Sequence, residues 1–199
     1  MKNIFQYIAI FALLGVLTQC KKGEDDPFLS LRSRKARVAG DWHLTAGTKV
    51  STNSGGGGSG STTTYNYTES SYTYNYVSGA INTSTMGVYS LKYEFKRDGT
   101  FTKTETSGSN LTTKTGVWNF TAGVGKEYKN KQQITLTFLT STYMGSNSSN
   151  NYTYTGKDMD EAFSIKELRN KKMVLVQEYT SASSGGSSNT FKAEYTLEQ

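Results

Sequence analysis

Cys20 and His43 are the only cysteine and the only histidine in the chain, so thiol and imidazole chemistry each rest on one side chain. A structural zinc site takes four His, Cys or acidic ligands and a catalytic one takes three; this sequence cannot supply the usual sets. A serine nucleophile would have to borrow His43 as its base, and strand alternation turns His43 away from Trp42, Leu44 and Ala46, towards solvent. Asp158, Asp160 and Glu161 form a small acidic cluster that either caps a turn or binds calcium weakly. The run Gly55-Gly56-Gly57-Gly58 lacks the lysine and following helix of a phosphate loop. Nothing singles out the two flanking carboxylates of a glycosidase. The expectation is a protein that is not an enzyme and that uses no metal and no cofactor.

Cys20 stands apart because of what precedes it. Lys2 heads a run from Ile4 to Leu17 that is apolar except for Gln6, Tyr7 and Gly15. A positive head and a short apolar stretch make a secretory signal, and a spanning helix would need roughly 20 apolar residues. The run ends Leu17-Thr18-Gln19-Cys20, which resembles a lipobox, where a diacylglyceryl thioether forms on the cysteine and the preceding peptide bond is cut. With a single cysteine, no intramolecular disulfide competes for the thiol. The reading divides the chain into a signal peptide at 1–19, a lipidated tether at 20–37 and one folded domain at 38–199. Each buried CH₂ of an acyl chain contributes about 0.8 kcal/mol, so two or three chains attach durably where one does not. The expected location is the outer membrane, on its periplasmic or cell-surface face. Glu24-Asp25-Asp26 after the lipidated residue resembles a surface-export signal and favours the cell surface.

Half of the net charge of +6 belongs to the tether. Arg32, Arg34, Lys35 and Arg37 cluster there, whereas from Val38 onward 15 basic residues face 13 acidic ones. A basic segment beside a lipid anchor suits anionic headgroups, at about 1 kcal/mol per Lys or Arg near the surface. This is preferred to nucleic acid, which an exported protein does not meet. The partner expected is the membrane, and the chain itself is expected to be a monomer.

The elements that position these residues are strands. Thr, Tyr, Ser and Gly dominate the body, and the chain's one proline, Pro27, lies in the tether; Thr and Tyr favour pleated strands. Tyr89, Leu91, Tyr93 and Phe95 alternate with Ser90, Lys92, Glu94 and Lys96. Phe191, Ala193, Tyr195 and Leu197 do the same, as do Ile134, Leu136 and Phe138 among threonines, and Gly116, Trp118 and Phe120 share a parity. One apolar and one wet side per strand means antiparallel strands around one interior. Met173 to Val176 is continuously apolar and predicts cover on both faces. Strands are predicted at 41–50, 62–77, 88–97, 100–107, 112–121, 132–143, 151–156, 162–168, 172–180 and 190–198. Within 62–77, Tyr65 and Tyr67 are odd while Tyr72, Tyr74 and Tyr76 are even, which predicts a bulge near Glu69-Ser70-Ser71. At Arg97-Asp98-Gly99 two registers compete, and burial of two rings favours a three-residue bulged loop with Phe95 beside Phe101. The fold class is all-β: a single up-and-down antiparallel meander barrel of 8–10 strands, closed so that no long edge is left exposed.

Gly40 and Trp42 form a Gly-x-Trp at the head of the first strand, behind the stem from Phe28 to Arg37. This resembles the lipocalin superfamily, and in particular lipocalin-like bacterial lipoproteins. The resemblance implies that Trp42 plugs the closed end of the barrel and that Gly40 allows close backbone approach. The lumen is expected to be lined by Trp42, Leu44, Tyr93, Phe95, Trp118, Phe120, Ile134, Leu136, Phe138, Phe191, Tyr195 and Leu197. Two functions stay open: binding of a small apolar or amphipathic ligand in that lumen, or a filled barrel acting as a structural and interaction lipoprotein of the cell envelope. The tyrosines of 65–76 suit an interface, and ordinary strand composition accounts for them equally. Radiolabelled palmitate is expected to enter the full chain in cells and to be absent from Cys20→Ser; equal labelling of both would end the lipidation reading.

Overall fold

The computed structural model describes residues 32–55, 60–121, 131–146, 148–154, 160–182 and 186–199. The signal segment, Cys20, Glu24-Asp25-Asp26, Gly56 to Gly58 and Asp158 lie outside the described residues. Among the described residues eleven strands follow one short helix: α1 (Arg34–Val38), β1 (Gly40–Ser54), β2 (Gly60–Thr68), β3 (Ser71–Ser78), β4 (Ile81–Phe95), β5 (Thr100–Ser107), β6 (Asn110–Thr121), β7 (Gln133–Met144), β8 (Ser149–Thr153), β9 (Asp160–Leu168), β10 (Lys172–Ala182) and β11 (Ser188–Glu198).

The strands close into an antiparallel up-and-down barrel. At its base eight of them form the ring: β1, β4, β5, β6, β7, β9, β10 and β11. Closure comes from two pairings of β1, with β11 along its length and with β4 through Gly40–His43 against Lys92–Phe95. Above that point β1 and β4 part, and the β2–β3 hairpin fills the gap, so the barrel widens to ten strands towards its mouth. β8 and β9 share one flank of β7, β8 on its upper half and β9 on its lower.

The predicted strand at 62–77 is therefore two strands, and the predicted bulge is a full reversal at Glu69-Ser70. Tyr67 pairs with Tyr72 and Tyr65 with Tyr74. Cross-strand partners share a face, so a tight hairpin brings odd positions of β2 and even positions of β3 to the same side. The Thr68 hydroxyl accepts the Ser71 N–H at 3.1 Å and fixes the turn. Parity alone could not separate a reversal from a bulge. β4 also starts earlier than predicted, because β3 gives its first half a partner.

A real bulge lies in β1, at Thr45, where the pairing with β11 slips between Leu44 and Ala46. Trp42 and Leu44 face inward below it; above it Gly47 and Lys49 do, and Ala46, expected on the apolar face, is exposed. The turn after β4 is the bulged one: Phe95 pairs with Phe101, and Gly99 takes φ of 98°. Asp98 Oδ1 accepts the Thr100 N–H at 2.9 Å, and those hydrogen bonds to Thr100 hold its carboxyl below the usual aspartate range.

The lower half of the barrel is solid. Trp42, Leu44, Ile134, Leu136, Ile165, Met173, Leu175 and Leu197 are all at most 1% exposed. Around them Phe95 stacks on Tyr93 and meets Trp118 edge-on, and Phe101 meets Phe138 edge-on. Each such aliphatic or phenyl side chain contributes roughly 1.5–3 kcal/mol on burial. Met173, Val174 and Leu175 are buried in succession, so both faces of that stretch are covered.

α1 seals this end. Ser33 caps it by accepting the Ala36 N–H at 3.1 Å. Val38 is fully buried and its carbonyl accepts the Trp42 indole N–H at 2.8 Å. Arg34 and Arg37 are buried here, and Arg37 donates to the carbonyl of Leu168 on β9. Two of the tether's basic residues thus belong to the barrel's base.

Where β6 bends past β7, Gly116 leaves no room for a side chain: an added Cβ would stand 2.0 Å from the Thr137 carbonyl oxygen. Gly116→Ala is expected to lower stability in urea unfolding by about 1–3 kcal/mol, as overpacking does. Gly60→Ala, whose Cβ meets nothing nearer than 3.4 Å, is expected to stay within about 0.5 kcal/mol of wild type. Equal midpoints for the two variants would contradict the packing at Gly116.

Candidate functional site

Above the solid half the interior changes character. A cavity of about 220 Å³ lies there. Leu91 and Phe163 give it apolar surface, and Tyr67, Tyr89, Tyr93 and Tyr195 surround it with phenol rings. Lys49, Lys103, Glu105, Glu161 and Gln177 bring charge and hydrogen-bonding groups to the same walls, with Phe191 nearer the mouth.

Two glycines let the rings pack against the wall. A Cβ at Gly47 would come 3.1 Å from the Tyr195 ring and 3.5 Å from the Tyr67 ring. One at Gly87 would meet the Tyr72 ring at 2.7 Å. The rings then pack on each other: Tyr67 lies 4.7 Å from Tyr89 and 6.0 Å from Tyr195, and Tyr72 meets Tyr89 edge-on at 6.3 Å. The hydroxyls of Tyr67, Tyr89, Tyr93 and Tyr195 make no hydrogen bond with another described residue.

The charges are arranged unevenly. Lys103 reaches both carboxylate oxygens of Glu161, at 3.0 and 3.1 Å, across the lumen from β5 to β9. Its side chain is 11% exposed, so this pair is largely shielded from water and interacts more strongly than one at the surface. Lys49 Nζ stands over ring faces instead, 5.2 Å from the Tyr65 centroid and 5.8 Å from that of Phe191. Lys114 sits 4.6 Å over Phe138. Glu105 has no ion-pair partner among the described residues.

Of the residues expected to line the lumen, Tyr93, Phe191 and Tyr195 stand on the cavity wall. Trp42, Leu44, Phe95, Trp118, Ile134, Leu136, Phe138 and Leu197 pack in the filled half, and Phe120 is half-buried, edge-on to Trp118. Lys103 and Glu105 went unnoticed although the bulged register already places them: if Phe95 opposes Phe101, then Tyr93 opposes Lys103 and Leu91 opposes Glu105, on the inner face. Lys49 was hidden by the Thr45 bulge, and Tyr67 by the β2–β3 reversal. Glu161 serves the lumen ion pair, and Asp160 beside it is exposed.

A second concavity, of about 530 Å³, lies on the outer wall where β1 and β4 separate, among Asp41, His43, Glu69, Lys92 and Glu94. Trp42, Leu44, Leu91 and Tyr93 line it as well, and Leu91 and Tyr93 are shared with the lumen cavity; His43 belongs to this concavity. Among the described residues no group of three or more His, Cys, Asp and Glu side chains is placed to hold a metal ion. No family model, no curated protein and no solved structure matches the chain.

Burial raises the phenol pKa of Tyr67, Tyr89 and Tyr93, and pushes that of Tyr195 up to about 12, with Lys103 opposing the rise at Tyr195 and Glu105 adding to all four. Below pH 10, the ordinary tyrosine value, folded and unfolded chains both hold these protons. Above it the unfolded chain ionises first, so stability falls as pH climbs towards the folded values. Urea midpoints are expected to be level up to about pH 10 and to decline beyond it, less steeply in Tyr195→Phe, while phenolate absorbance of the native protein lags a free-tyrosine curve. A native titration matching free tyrosine would refute the burial of these hydroxyls.

Proposed function

We propose that the chain is an outer-membrane-anchored, lipocalin-like lipoprotein whose barrel holds one small amphipathic ligand in its wide half. The observation that carries this reading is the contrast within one interior. The base is packed with aliphatic and aromatic side chains, whereas the upper half leaves a cavity of about 220 Å³ ringed by phenols whose hydroxyls make no hydrogen bond with another described residue. A barrel needed only as a scaffold has no use for an internal ion pair and lone charges, since apolar packing of the same volume is as stable or more so. Ring faces beside a few convergent polar groups are what small-molecule sites are made of. The Gly-x-Trp at the base and the lipobox ahead of it support the lipocalin-like and lipid-anchored parts of the reading.

A second reading, a scaffold that contacts envelope partners, draws on the exposed Val77, Met86 and Val88 along the outer face of β3 and β4. Native mass spectrometry of the full chain extracted from its own membrane separates the two. A co-purifying small molecule is expected, and it should be lost in Gln177→Trp, which fills the cavity from β10. Wild-type protein carrying no bound mass would sink the ligand reading and leave the scaffold.

A further inference from the structure

We propose that the ligand is a small zwitterion of free amino-acid size, with its ammonium group held by Glu105 and the surrounding tyrosine faces and its carboxylate held by Lys49. This rests on the lumen-binding reading above and narrows it to one chemical class.

Size comes first. A cavity of about 220 Å³ equals roughly seven waters at their liquid volume. That accommodates a compact metabolite. Charge comes second. Lys103 and Glu161 pair at 3.0 Å, whereas Glu105 and Lys49, on the same cavity wall, make no ion pair among the described residues. Glu105 comes from β5 and Lys49 from β1, and no ion pair joins them. A ligand with one charge would leave the other wall charge unmet. A neutral sugar would leave both. A zwitterion answers each.

The remaining groups fit the same occupant. Phenol faces attract an ammonium group through their quadrupole, and Glu105 lies within electrostatic reach of Tyr67, Tyr89, Tyr93 and Tyr195. Among the described residues Lys49 Nζ meets ring faces, at 5.2 and 5.8 Å, and its N–H donors are available to a carboxylate. Burial keeps the phenols protonated, so they can donate hydrogen bonds. Leu91 and Phe163 supply apolar surface for a side chain.

Isothermal titration calorimetry of the detergent-extracted full chain tests this with four matched probes. Leucine carries both charges, isoamylamine lacks the carboxylate, isocaproate lacks the ammonium group, and isoamyl alcohol lacks both. Leucine is expected to bind roughly tenfold or more tighter than any of the others, the loss that follows removal of one charge-assisted hydrogen bond. In Glu105→Gln leucine should weaken to the level of isocaproate, and in Lys49→Met to that of isoamylamine. Both side chains are partly exposed, and the probe series on the wild type needs no variant to fold. If the alcohol binds as tightly as leucine, the zwitterion is overturned and lumen binding stands. If none of the four binds, the zwitterion is again overturned, and the native mass spectrum decides separately whether the lumen holds something else.

Discussion

The four-residue contact between Gly40–His43 and Lys92–Phe95 sets the shape of everything above it. It joins the first strand of the barrel directly to the fourth, so the base closes at eight strands. An eight-stranded ring has an interior just wide enough to be filled by side chains, and this one is filled. The β2–β3 hairpin cannot descend past the contact and turns at mid-height. The added strands widen the barrel only above the turn, and the cavity lies in that wider part. A solid floor and a hollow upper part thus follow from one pairing between strands distant in sequence.

Much of this was legible in the sequence, for a physical reason. Strand periodicity has only two phases, so Tyr89–Phe95, Ile134–Phe138 and Phe191–Leu197 declare their inner faces without ambiguity. The choice of the bulged turn at Arg97–Gly99 rested on burying Phe95 and Phe101 together, and those rings pack 6.0 Å apart. What sequence reading lost lay wherever the phase resets. A bulge at Thr45 inverted every inference downstream on β1. The reversal at Glu69-Ser70 leaves the same trace in parity as a bulge does. Only a count of hydrogen-bonding partners along β1 and β4 tells the two apart.

The site was harder to see than the fold because its residues break the rule by which inner faces are recognised. Apolar alternation marks a core, whereas Lys49, Lys103, Glu105 and Glu161 occupy inner positions as charged side chains. Three of them follow an apolar position in phase: Phe101 leads to Lys103 and Glu105, and Phe163 leads back to Glu161, whereas the Thr45 bulge puts Lys49 out of phase with Trp42 and Leu44. In a barrel, a charge that continues the apolar parity of its own strand points to a polar interior. On β5, Phe101, Lys103 and Glu105 share the inner face while Thr102 and Thr104 alternate outward, so the strand's own parity carries its charges into the lumen.

The hairpin that stops halfway also separates two kinds of evolutionary freedom. Lengthening, shortening or rewriting β2 and β3 reshapes the rim and the upper wall while the eight-membered ring below keeps its own hydrogen bonds and its own packing. Descendants of such a barrel can explore new specificities in a detachable panel without risking the foundation that makes them fold.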